Sequence, residues 1–133
     1  MRIIKFRAWD KDVKEMEIVG AIYWDGYGKV ITCNTEGHKH YMTEPDQFIL
    51  MQFTGLLDKN GKEIYEGDLL QFDNDSSVCF EVFYDADEAR FNCCRVHYHG
   101  SRCGCYIPKI ESKHLSVIGN IYENPKLLEA NDE

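Results

Sequence analysis

The sequence has no long apolar run. The longest, Ile18 to Trp24, is seven residues and includes Gly20, whereas a bilayer-crossing helix needs about 20, so no membrane span is expected. It is also short of positive charge: 15 Lys plus Arg stand against 23 Asp plus Glu, a formal charge of -8. That balance opposes the broad basic footprint of a protein that coats nucleic acid through phosphates. Met1-Arg2-Ile3-Ile4-Lys5 is interrupted by charge before the apolar stretch of a signal peptide can form, which predicts a cytoplasmic location. Internal repeats, low-complexity tracts and linkers are absent too. What is present, 133 residues of which 44% are hydrophobic and 13% aromatic, fits one compact domain over 1–133.

The dominant periodicity is two, with turn signals at short intervals, which predicts a mainly β, antiparallel domain with at most short helices. Ile4, Phe6 and Ala8 alternate with Lys5, Arg7 and Trp9, as a half-buried strand requires. Val13 to Trp24 reads as a strand bent at Gly20, and Asp25-Gly26-Tyr27-Gly28 as a hairpin turn. Phe48 to Phe53, apolar on both faces, reads as a central strand. Asp58-Lys59-Asn60-Gly61 and Glu66-Gly67-Asp68 are turns, with Gly61 suited to the left-handed conformation. Strands are further expected over Leu69–Phe72, Val78–Tyr84, Phe91–His99 and Val117–Tyr122, with a short helix after Pro125.

Six cysteines (Cys33, Cys79, Cys93, Cys94, Cys103, Cys105) are expected as thiols in a reducing cytosol, with metal binding as the main rival. His97, His99, Cys103 and Cys105 could meet across a hairpin as a zinc site, one pair on each strand. Their His-x-His and Cys-x-Cys spacings nevertheless lack the usual knuckle of structural zinc sites. Cys103-Gly104-Cys105 is too tight for a Cys-x-x-Cys redox motif, and the acidic residues of the middle region have no EF-hand spacing. Two small basic edges, Arg2, Lys5 and Arg7 beside Trp9, and Arg90, Arg95 and Arg102, offer limited platforms for nucleic acid.

Three stretches together resemble the YopX family of phage and prophage proteins. They are Ile4-Lys5-Phe6-Arg7-Ala8-Trp9-Asp10, the segment Met51-Gln52-Phe53-Thr54-Gly55-Leu56-Leu57-Asp58-Lys59-Asn60-Gly61-Lys62-Glu63-Ile64-Tyr65-Glu66-Gly67-Asp68, and Val117-Ile118-Gly119-Asn120-Ile121-Tyr122-Glu123-Asn124-Pro125. The resemblance implies an SH3-like barrel in part of the fold and a small phage-encoded protein acting in the bacterial host cytoplasm. It implies no assigned catalytic residues. Both ends being strand-like, their pairing near the centre would close a barrel and protect its edges.

The expected function is accordingly that of a non-enzymatic accessory protein, binding an unknown host or phage protein and self-associating. Turn residues usually serve the fold, but the Gly55–Gly67 connection could also display Asp58, Lys59, Asn60 and Tyr65 to a partner. Trp9 and Trp24, with Tyr65 and Tyr122, are the aromatic anchors on offer, although burial is the commoner role for each. The alternative is a metal-stabilised or nucleic-acid-binding module built on Cys93 to Cys105.

Overall fold

The computed structural model describes residues 3–24, 29–35, 38–42, 48–73, 75–96, 105–106 and 112–128; side chains are described for these except 23–24, 29–35, 38–42, 75–77, 105–106 and 112. The chain divides into two compact units, 1–52 and 53–133. The pairings are antiparallel throughout, in two sheets, and the only helical pieces among the described residues are 3-10 turns at Ser112–His114 and Pro125–Leu128. Among the described residues no helix is long and apolar enough to cross a membrane.

In the first unit, β1 (Phe6–Asp10) lies between β2 (Glu15–Trp24) and the first half of β5 (Phe48–Leu57). Outward from β2 come β3 (Lys29–Thr35) and β4 (His38–Met42). The alternation read from the sequence places Ala8 opposite Leu50 on one side and Glu17 on the other. Ala8 and Phe48 are buried, and Val19, Ile22 and Leu50 pack against them. The β2–β3 register shifts between Val19 and Ala21, so Gly20 stands at an irregularity as expected. The turn before β2 closes with Lys14 at φ 57, a left-handed residue that no glycine announces.

In the second unit, Phe53 and Leu57 of β5 pair with β6 (Glu63–Tyr65). A separate sheet runs β10 (Cys105–Tyr106), β9 (Arg90–Arg95), β8 (Asp75–Asp85), β7 (Asp68–Phe72), β11 (Leu115–Asn120). Its core is Ile64, Leu70, Val82, Cys93 and Leu115, all at most 1% exposed, with Leu56, Phe72, Phe80, Phe91 and Val117 packed against it. Apolar burial of this kind is the main favourable contribution to the fold.

The two ends of the chain do pair near its centre, β1 with β5 and β11 with β7. Among the described residues, however, neither sheet closes on itself, so the barrel closure expected from the strand-like ends is not seen. The outer side of β11 is instead occupied by the β5–β6 turn.

Candidate functional site

The turn from Asp58 to Lys62 is held by its own backbone: Asp58 N–H donates to Lys62 O at 2.8 Å and Gly61 N–H to Asp58 O at 3.0 Å. Gly61 has φ +81, and a Cβ there would meet nothing within 4 Å. Glycine is therefore called for by conformation and not by space. The Asp58 carboxylate completes the turn. Its Oδ1 accepts the N–H groups of Asn60 at 2.8 Å and Lys62 at 2.9 Å.

The other oxygen reaches a distant part of the chain. Asp58 Oδ2 accepts the Val117 N–H at 2.9 Å, while Lys59 N–H donates to Leu115 O at 2.9 Å. Burial of Asp58, which is 6% exposed, opposes ionisation. The N–H groups of Val117, Lys62 and Asn60 and the Lys62 charge outweigh it, and hold this carboxyl below its ordinary 3.8. The carboxylate thus joins the middle and closing motifs into one cluster.

Around it the remaining motif residues serve one another. Tyr65 N–H donates to Asp68 Oδ2 at 2.8 Å, and Asp68 is 1% exposed. Gly67 N–H donates to Val82 O and its carbonyl accepts Ile121 N–H, both at 2.9 Å. Asn120 Oδ1 accepts the N–H groups of Tyr122 at 3.0 Å and Glu123 at 2.8 Å. Asn120 N–H in turn donates to Asn124 Oδ1 at 3.1 Å. A Cβ on Gly119 would stand 2.7 Å from Asn124 Cγ, so the closing block requires glycine there.

Of the residues expected to face a partner, Asp58 is buried, whereas Lys59 and Asn60 are exposed. Lys59 Nζ lies 2.5 Å from Asp73 Oδ1, and His114 Nδ1 lies 3.5 Å from Asp73 Oδ2. The Lys59 hydrogen bond is the main reason that Asp73 is held below the ordinary carboxylate value. Tyr65 is half-buried, its ring 5.5 Å from Phe53. Trp9 is half-buried on β1, opposite Met16 and Ile49. Trp24 ends β2 opposite Lys29, and its side chain lies outside the described residues.

His97, His99 and Cys103 lie outside the described residues, and Cys105 is described in its backbone alone, opposite Cys93. Among the described residues no group of three His, Cys, Asp or Glu side chains could hold a metal ion. Cys93 is fully buried. Burial, with Glu81 nearby, pushes the Cys79 thiol up, which disfavours its reactive thiolate form. Asn92 and Asn120, buried polar residues of the second unit, are structural residues that the sequence did not single out, while Asp68, read as part of a turn, is buried as well. Asn120 carries a local signal, a short polar residue at a strand end, whereas Asn92 lies inside β9.

No curated protein matches this chain. Among solved structures it is similar to protein EF1440 from Enterococcus faecalis, at 30% identity and a TM-score of 0.65, covering 97% of this chain and 100% of that one. It is also similar to yopX from Bacillus subtilis, at 19% identity and a TM-score of 0.61, covering 99% and 100%. The YopX protein family matches residues 5–129, a span that includes the Asp58 turn and the Asn120 block. The chain belongs to the YopX family.

Proposed function

We propose that this protein is a phage- or prophage-encoded accessory protein of the bacterial host cytoplasm that works without catalysis, by self-association and by binding another protein. The observation that carries this reading is the set of exposed aliphatic side chains in the first unit. Ile18 on β2 is 71% exposed, and Ile3, Ile4 and Val13 are 61%, 58% and 58% exposed. Single exposed aliphatics are ordinary, but several in one small unit fit a contact surface. The family resemblance supports the phage setting. It also supports an SH3-like barrel part, which we assign to the second unit.

The test is a native mass spectrum of wild type and Ile18→Glu, with circular dichroism to verify folding. A wild-type oligomer that becomes monomeric in the folded variant is expected. A wild type that is monomeric at every concentration overturns self-association.

A second reading, a metal-stabilised or nucleic-acid-binding module, is favoured by the register that sets Cys105 opposite Cys93. The same spectrum tests its metal form, since bound zinc adds mass to each subunit. The nucleic-acid form is weakened at Arg90, whose guanidinium is 2.5 Å from the Glu88 carboxylate and donates to Asn92 Oδ1 at 3.1 Å.

A further inference from the structure

Asn60 is the one asparagine of this chain that is followed by glycine, and the pair lies exposed in the Asp58 turn. We propose that Asn60-Gly61 is a self-modification site whose rate is governed by the Asp58 turn. In the step, the Gly61 amide nitrogen attacks Asn60 Cγ. The N–Cγ bond forms, the Cγ–Nδ2 bond breaks, and the amide proton leaves with the Nδ2 group as ammonia. Water then opens the cyclic imide at either carbonyl, its hydroxyl going to carbon and its proton to nitrogen, which leaves aspartate or isoaspartate.

Two features favour attack. Gly61 has no side chain to shield its nitrogen, and the space where a Cβ would project is open to at least 4 Å. Asn60 is also exposed to the water that must complete the reaction. By contrast, Asn92 and Asn120 are 0% and 6% exposed, have side-chain oxygens already engaged, and precede Cys93 and Ile121.

The turn itself holds the reaction back. The proton that must leave Gly61 is the one donated to Asp58 O at 3.0 Å. The flanking amides of Asn60 and Lys62 are both fixed on Asp58 Oδ1. Attack therefore requires local opening, and the hydrogen bonds to Asp58 set how often that occurs. Isoaspartate adds one carbon to the backbone between Asp58 and Lys62. It would displace the Lys62 N–H from Asp58 Oδ1 and the Lys62 carbonyl from Asp58 N–H, so each turn that carries isoaspartate is more open than its precursor.

The proposal is independent of any binding partner and is tested on the full chain. Wild type, Asp58→Ala and a second-unit packing variant, Phe91→Ala, are incubated under native, mildly alkaline conditions. Modification is followed by intact mass and by peptide mapping of isoaspartate at residue 60. Asp58→Ala, which removes the acceptor of the Asn60 and Lys62 amides, is expected to react about tenfold faster than wild type, and Phe91→Ala, on β9, which β8 and β7 separate from β11, much less so. Wild type that gains no mass at Asn60 even when denatured overturns the site. Equal rates for Asp58→Ala and wild type, or for Asp58→Ala and Phe91→Ala, overturn control by the turn.

Discussion

Replacing Asp58 by asparagine keeps the shape of the side chain and changes one oxygen into an NH2 group. Oδ1 can still accept from Asn60 and Lys62, as it does at 2.8 and 2.9 Å. The atom facing Val117 N–H, now 2.9 Å from a carboxylate oxygen, becomes a donor that faces a donor. Turning the amide over restores the Val117 contact and spoils the other two. A hydrogen bond to a charged acceptor contributes about 1.5–3 kcal/mol, and a buried N–H left unsatisfied costs a further penalty of similar size. The expected loss is about 2–4 kcal/mol, a large share of the roughly 5–15 kcal/mol that keeps a domain folded. With a urea slope of about 2 kcal/mol per molar, the midpoint should fall by about 1–2 M.

Circular dichroism reads that midpoint, and hydrogen exchange of the Val117, Asn60 and Lys62 amides localises the effect. An unchanged midpoint together with unchanged exchange at Val117 would refute the role assigned to the carboxylate. The pH dependence has a definite sign. Because the folded-state value lies below the ordinary 3.8, the contribution of ionised Asp58 is complete above pH 3.8 and is lost as pH falls through the folded value. The stability gap between wild type and Asp58→Asn should therefore narrow in that acid range and stay constant above it.

Two further substitutions probe single backbone positions. Gly119→Ala should lose about 1–3 kcal/mol in the same urea titration, because its Cβ cannot share space with Asn124 without displacing the acceptor of the Asn120 N–H. Ala89→Gly should instead gain about 0.5–1 kcal/mol, since the left-handed penalty removed exceeds the added entropy of the unfolded chain. Ala89 has φ 54 after the Asp85 turn, in which Asp85 Oδ1 accepts Asp87 N–H at 3.0 Å.

Local chemistry made much of the fold legible. Gly61 and Gly67 sit at φ +81 and +83, where a turn reading puts glycine, and Gly20 sits at the β2 irregularity. Strand ends were less legible, since they depend on partners. Thr54-Gly55 reads as a corner, and it is one inside a continuing strand: Gly55 has φ +90 and the β5–β6 register shifts between Phe53 and Leu57, while β5 runs on to Leu57. Asn34-Thr35-Glu36-Gly37 reads as a turn, but its first two residues belong to β3, which runs through Thr35 because β4 pairs with it. The final strand starts at Leu115 and stops at Asn120, where the Asn120 side chain takes the next free amides. Lys14 and Ala89 are left-handed without glycine or asparagine to mark them. The contact of Asp58 with Val117 spans 59 positions, and no local pattern announces such a partner.

That contact explains how a strand at the end of a sheet that does not close among the described residues remains protected. Residues two apart on a strand turn their backbone groups to the same side, and β11 gives its inner side to β7. On the outer side, Leu115 O is taken by Lys59 N–H and Val117 N–H by the Asp58 carboxylate. Two consecutive residues of one turn thus stand in for a neighbouring strand, one through its amide and one through its side chain. An exposed edge invites pairing with another copy, and this arrangement closes that route along β11. The proposed self-association is then better sought at Ile18 and the first unit. Asp58→Asn, which frees the Val117 amide, should add a tendency to edge-to-edge aggregation that Ile18→Glu does not share, and light scattering of the two variants at matched concentration separates the two surfaces.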